Sequence, residues 1–297
     1  MKEQRLALLN LHIAIVLLGI SGLFGKLLPI DPTLIVLGRT VIGAAVLAGI
    51  LLFQKRLQQA FAGGWSLSKA QWPLNMLLGI VLALHWITFF KAIQVSSVAI
   101  GLLAFASFPV FVTLLEPLLF REKLRLLDLL TAAGVVLGLF IIFPLSSMDS
   151  QADKVAGIAW GVVSALLFAL LSLANRFRIQ NTDAVTLTCQ QNIGAALITL
   201  LLIPAGGLSI MANHWPLLLA LGLLCTTLPM LMFLNSLRHL KAQLVSLVTC
   251  LEPVYGIVFA AALFGDVPSS NTLIGGAVIL LAITAGTLIR NKSRSFS

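Results

Sequence analysis

Few residues of this 297-residue chain are equipped for chemistry, and most of those stand inside apolar stretches. Glu252 is the sharpest case: it lies midway along an apolar run over 242–264. A charged carboxylate in hydrocarbon costs several kcal/mol unless it is paired, wetted or protonated, so such a residue normally faces an interior cavity. Pro253 follows it, removes one backbone hydrogen bond and opposes helical geometry at Glu252, which places a kink beside the carboxylate. That combination suits a gate or a proton-exchanging group; pairing with a buried donor on a neighbouring helix is the structural alternative. Tyr255 lies one turn further on a similar face, and a buried tyrosine needs a partner for its hydroxyl. Arg39 is the one arginine within an apolar stretch. It suits a carboxylate or phosphate group of a substrate, or else snorkels to the membrane interface.

Three further groups complete the set. The run His85-Trp86-Ile87-Thr88-Phe89-Phe90 places His85, Thr88 and Phe89 on one helical face, fit to line an amphipathic pocket. Gln190-Gln191-Asn192 are three consecutive amides that cannot all share a face. At least one must bond across to another helix, and Gln191 is the candidate for a cavity. His12 falls near the cytoplasmic end of its stretch and reads as interfacial, His214-Trp215 as an anchor at the opposite interface. Asn175 reads as a helix cap, and Glu116 as a partner for Arg121 or Arg125. The chain contains no His-Glu-x-x-His, no phosphate-binding glycine loop and no Cys-x-x-Cys, so no catalytic site, metal or cofactor is expected.

The elements that must hold these residues are long and apolar. Hydrophobic residues make up 59% of the chain and charged ones 10%, with a mean hydropathy of +1.06, against about 25% charged in soluble domains. Ten helices are expected, over 6–28, 33–53, 73–93, 97–119, 125–143, 155–175, 184–204, 215–236, 242–264 and 271–289. Breakers separate them: Pro29 and Pro32 with Asp31 as a cap, Gly63 to Ser66 with Pro73, Pro144 to Asp153, Pro204 to Gly207, and Pro268 to Asn271. The connections are too short for a folded domain. With the N-terminus in the cytoplasm, 15 of the 19 lysines and arginines fall on that side, as the positive-inside rule requires. Lys26, Lys91 and Lys154 fall outside. The net charge of +9 therefore reads as topology and lipid contact rather than nucleic-acid binding. Leu6 to Leu28 is too long for a signal-peptide core and is expected to remain as a span. Cys189, Cys225 and Cys250 read as small packing residues, and Gly134/Gly138 and Gly157/Gly161 as notches for helix packing within the bundle. A monomer or weak dimer is expected.

The chain also repeats itself. At an offset of 144, Pro109-Val110-Phe111 meets Pro253-Val254-Tyr255, Leu119-Phe120 meets Leu263-Phe264, and Glu122 meets Asp266. A unit of five spans is odd-numbered, so its second copy is inverted, with a substrate site expected near the bilayer midplane. The expected fold is thus an all-α integral membrane protein of ten transmembrane helices, in two inverted five-helix repeats over 1–148 and 149–297.

At these residues the chain resembles the drug/metabolite transporter superfamily, in its ten-helix EamA-like branch. The carriers of the resemblance are the proline-valine-aromatic motif with its Leu-Phe-x-acid ending, Gly22-Leu23-Phe24-Gly25-Lys26 in the first helix, and Arg39 in the second. The resemblance implies a bacterial inner-membrane exporter or exchanger of small metabolites, with Phe24 and Lys26 joining Arg39, His85, Trp86, Phe89, Gln191, Glu252 and Tyr255 around the substrate. The leading expectation is alternating-access transport of a small polar or amphipathic metabolite, such as an amino acid or derivative, with protons exchanged at Glu252. An anion exchanger using Arg39 and Lys26 without protons is the first rival. An integral-membrane lipid enzyme is the second.

Overall fold

A computed structural model describes residues 2–53, 65–120, 126–142, 151–178, 183–240, 248–249 and 251–294. No strand occurs among them. The helices are α1 (Lys2–Leu27), α2 (Pro32–Phe53), α3 (Trp65–Val95), α4 (Val98–Phe105), α5 (Phe108–Phe120), α6 (Leu126–Ile142), α7 (Gln151–Arg178), α8 (Ala184–Leu201), α9 (Gly207–Asn213), α10 (Trp215–Gly222), α11 (Leu228–His239), α12 (Glu252–Phe264) and α13 (Ser270–Arg294). By length and composition, seven segments can cross a membrane, and three shorter apolar helices accompany them.

Several elements depart from expectation where proline chemistry intervenes. The stretch 97–119 is two helices. Ala106 and Ser107 form a turn between α4 and α5, with Ser107 Oγ donating to the Ala104 carbonyl at 2.6 Å. Pro109 has no N–H to continue the ladder from α4. In 242–264, helix α12 begins at Glu252, one residue before Pro253, so the kink expected there is a helix start. α5 and α12 are each 13 residues long and begin one residue before the prolines that the repeat superposes. Within 215–236, a π-helical turn over Leu223–Thr227 separates α10 from α11. The wider turn keeps the ring of Pro229 away from the carbonyl four residues back. Thr226 and Thr227 donate back to the carbonyls of Leu221 and Gly222. In the other direction, α3 starts at Trp65 and runs through Pro73, which lies on its exposed side and costs it one backbone bond. α7 likewise begins at Gln151, within the expected break. Asp31 does cap α2, accepting from the Thr33 N–H at 2.7 Å.

The bundle interleaves the two parts of the chain. α1 packs on α11 and α12, α2 on α8 and α10, α3 on α7 and α8, and α6 along α13. Lipid tails are as apolar as leucine, so backbone proximity has to hold such contacts. At the α6–α13 crossing the glycines are reciprocal: a Cβ on Gly138 would meet the Gly275 carbonyl, and one on Gly275 the Gly138 carbonyl. Gly157 seats Ser96, and Gly161 seats Ala104. The glycine pairs thus serve packing within the chain. Replacing Gly138 or Gly275 with leucine should force α6 and α13 apart and cost about 1–3 kcal/mol. Val136→Ala, on an exposed face of α6, should change little; thermal unfolding of the purified proteins in detergent measures both.

Candidate functional site

Arg39 does not snorkel. It is 1% exposed and its guanidinium carbon lies 3.4 Å from the centroid of the Trp86 ring and 5.6 Å from that of Phe90. α2 and α3 bring these groups together. Gly38 meets Leu218, Ile42 meets Gly222, and Gly43 lies against the Asn192 amide oxygen and the Thr227 hydroxyl, so α2 is pressed against α10, α8 and the π-turn. Cys225 of that turn belongs to the same core cluster as Phe90. Arg39 Nε and Nη1 are buried with no hydrogen-bond partner among the described residues. A planar cation is therefore covered on its face and unsatisfied at its edge, which is an arrangement for binding an anion.

Beyond Trp86 the rings continue. His85 lies 4.7 Å from Trp86, 5.2 Å from Phe105 and 5.0 Å from Phe168, centroid to centroid. Phe105 and Phe108 stack across the α4–α5 turn. His85 is itself anchored: Ser164 of α7 meets its Nδ1 at 2.8 Å and donates to its backbone carbonyl at 3.0 Å. His85, Trp86 and Phe89 therefore do join Arg39, although His85 and Phe89 sit deep in the packing and Trp86 is the more accessible. Phe24 is a core residue of this cluster too.

Glu252 and Tyr255 form a second group, on the α1–α12 contact. A Cβ on Gly19 would meet the Glu252 carbonyl at 2.8 Å and Tyr255 Cβ at 3.2 Å, so the two helices touch backbone to backbone there. No hydrogen bond or ion pair of the Glu252 carboxylate occurs among the described residues. The Tyr255 hydroxyl lies 3.4 Å from His12 Nδ1. His12 is therefore a half-buried partner of Tyr255 and not a lone interfacial residue.

Lys26 and Gln191 belong elsewhere. Lys26 Nζ is paired with Asp266 at 3.0 Å, partly exposed, linking the end of α1 to the α12–α13 connection. Gln191 is tied to Asn175 of α7 at 2.6 Å, so Asn175 serves as a cross-helix acceptor and not as a cap. Beside it, buried Asn75 donates to Gln190 at 2.5 Å and accepts from Arg178 at 2.9 Å, joining α3, α7 and α8. This amide network is where the helix-to-helix bond expected of the three amides is found. Arg121, Arg125 and Cys250 lie outside the described residues, and with them the pairing expected of Glu116. A crevice of about 660 Å³ runs along α2 between α8 and α10, lined by Val41, Leu197, Met211 and Trp215 among others. Its walls are almost wholly apolar and give a polar solute nothing to hold.

Sequence reasoning missed Ser164, Asn75, His12 and the π-turn. Ser164 carries no signal in the sequence. Asn75, a lone amide in an apolar helix, and Cys225-Thr226-Thr227 ahead of Pro229 were available as signals. Asn75→Ala removes two bonds of the amide network. It should lower stability by about 1–3 kcal/mol, read as a lower unfolding temperature with the helix content of the folded protein retained.

Comparison with known proteins places this architecture. The model of the EamA-like transporter family matches twice, over residues 5–143 and 155–286. An uncharacterized transporter of Bacillus subtilis, YxxF, is 25% identical over 99% of this chain and 93% of its own length. Another, from Archaeoglobus fulgidus, is 26% identical over 73% of this chain and 76% of its own. A solved structure titled "Crystal structure of protein" superposes with a TM-score of 0.63 at 20% identity, covering 95% of this chain and 96% of that one, and so shares the fold. With apolar helices able to span a bilayer and a family model matched across both parts, the chain belongs to the EamA-like transporter family.

Proposed function

We propose that this transporter moves a small polar or amphipathic metabolite, such as an amino acid or derivative, across the bacterial inner membrane by alternating access, as an exporter or exchanger. The reading takes ten spans as two inverted five-helix repeats over 1–148 and 149–297, with both termini cytoplasmic. The observation that carries it is the matched pair of helix breaks. α5 and α12 begin at positions 144 apart, each beside a proline. Discontinuous helices at corresponding places in two repeats are where carriers of this kind build their midplane sites. Arg39 and the rings around Trp86 flank one break, and Glu252 begins the helix at the other. In the cycle proposed, substrate enters between the repeats, contacts Trp86 and Arg39, and is released when α1 and α12 rock against the rest. Membership of a transporter family stands against the lipid-enzyme alternative.

Glu252 is proposed as the coupling group. A coupling group must be protonated in one part of the cycle and ionised in another, and a carboxyl at a helix contact in the bundle meets both hydrocarbon and, on opening, water. Glu252→Gln keeps the shape but cannot release a proton. In reconstituted vesicles the variant should bind substrate and lose accumulation driven by a pH gradient; accumulation that persists in response to the gradient removes Glu252 from the coupling role. Proton-free anion exchange is the second reading, favoured by the unpartnered nitrogens of Arg39. In that case Glu252→Gln leaves gradient-independent exchange intact.

The orientation is tested by single cysteines in a variant lacking Cys189, Cys225 and Cys250. A cysteine at Gln58 or Ser295 should react with an impermeant maleimide only from the cytoplasmic side, and one at exposed Asn213 only from the other. Labelling of Asn213 from the cytoplasm overturns the five-plus-five arrangement.

A further inference from the structure

The guanidinium of Arg39 is a cation without a counter-charge. Trp86 and Phe90 cover its face, Gly43 one turn along α2 meets the Asn192 amide oxygen and the Thr227 hydroxyl, and Cys225 lies in the same core cluster as Phe90; none of these is anionic. The other cation singled out for the site, Lys26, is already paired with Asp266. A ring face satisfies the π-surface of a guanidinium but accepts none of its N–H bonds, and Nε and Nη1 lie on different edges of the group. Burying such a cation is costly until an anion pairs with it.

We infer that Arg39 is the subsite for the carboxylate of a flat, apolar monocarboxylic acid, held edge-on by a guanidinium clamped against Trp86 and Phe90. This deepens the transporter reading and rests on it for the route by which the acid arrives. Three observations select this class. Charge matching is the first. One monovalent cation in apolar surroundings neutralises one carboxylate, whereas a phosphate dianion would leave a buried negative charge, Arg39 being the one cation recorded over the Trp86 and Phe90 rings among the described residues. Clamping is the second: stacking on Trp86 fixes the plane of the group, and a carboxylate is the planar partner that engages one edge of it, Nη2 with either Nε or Nη1, in two parallel bonds. The third is the surrounding surface. Trp86, Phe108 and Phe168 are only partly buried, and together with His85 and Phe105 they form a continuous aromatic wall beside the cation, matched to a flat apolar body.

The inference has a conformational consequence. In the arrangement described, Arg39 is shut away from solvent with its edge unpaired. An anion that pairs with it lowers the free energy of the closed arrangement relative to an open one, in which water can solvate the fork. Carboxylate binding therefore favours closure over α2, α3 and the π-turn, and Cys225, buried in that turn, reports it.

The test uses the full chain, purified in detergent, with Cys189 and Cys250 replaced by alanine. Benzoate and indole-3-acetate are compared with their amides, benzamide and indole-3-acetamide, and with inorganic phosphate. The two acids should raise the unfolding temperature and slow alkylation of Cys225 by N-ethylmaleimide, while the amides and phosphate do neither. Arg39→Lys keeps the charge and loses the fork, and should weaken the acids about tenfold. Trp86→Leu should weaken them as well, and Trp86→Phe should restore part of the loss. Amides that act as strongly as the acids, phosphate that outcompetes them, no effect of any acid, or an Arg39→Lys protein indistinguishable from wild type would each overturn the subsite. Arg39→Gln is informative only if it folds, and the lysine and Trp86 variants decide the matter without it. A protein that binds the acids through Arg39 but moves no solute across reconstituted vesicles keeps the subsite and loses the carrier reading. One that transports neutral solutes with Arg39→Lys unaltered does the reverse.

Discussion

A cation enclosed by apolar helices has to be compensated, and at Arg39 the protein supplies only part of the compensation. Stacking on an aromatic face contributes on the order of 2 kcal/mol when desolvated, while the effective penalty for burying a charge is several kcal/mol. The difference is carried by packing elsewhere. α2 is held against α10 and the π-turn through Gly38, Ile42 and Gly43, and α3 is pinned by Ser164 through His85. These contacts hold Trp86 and Arg39 in register.

That dependence gives the glycines and the helix breaks a common purpose. Close approach of backbones at Gly19–Glu252, Gly138–Gly275 and Gly157–Ala92 makes rigid seams between elements far apart in the chain. The turns before Pro109 and Pro253 and the π-turn before Pro229 interrupt the hydrogen-bond ladders between those seams. Rigid seams joined by interrupted helices are a construction in which parts of a bundle can rock without unfolding. The ion pair Lys26–Asp266 ties one end of α1 to the end of α12, so those two helices, already in backbone contact at Gly19, behave as one unit.

The polar groups divide accordingly. Asn75, Asn175, Gln190 and Gln191 satisfy one another and fasten α3, α7 and α8. Tyr255 and His12 do the same for α1 and α12. Arg39 and Glu252 are charged groups set within apolar segments without a described partner; Arg39 lies in the cluster that includes Cys225 of the π-turn, and Glu252 begins α12. An amide in a membrane bundle is cheap to satisfy from a neighbouring helix. A charge is not, which is why these two residues carry the functional argument.

Much of this was legible in the sequence. Apolar runs and their charged flanks are sums over neighbouring residues, so the membrane class and the offset of 144 between Pro109 and Pro253 follow from the chain alone. Arg39, Trp86, His85 and Glu252 stand out there too, because a polar group in an apolar run is conspicuous without any structure. Only the tertiary structure decided the partners. Arg39 stacks on Trp86, 47 positions away in the numbering, His85 is held by Ser164, Gln191 leaves the cavity for Asn175, and Lys26 leaves it for Asp266. Each depends on how far a helix is rotated about its axis and how closely it crosses the next. Those quantities are set by steric contact at a few glycines and by where a proline breaks the ladder, and neither is a property of any local stretch of sequence.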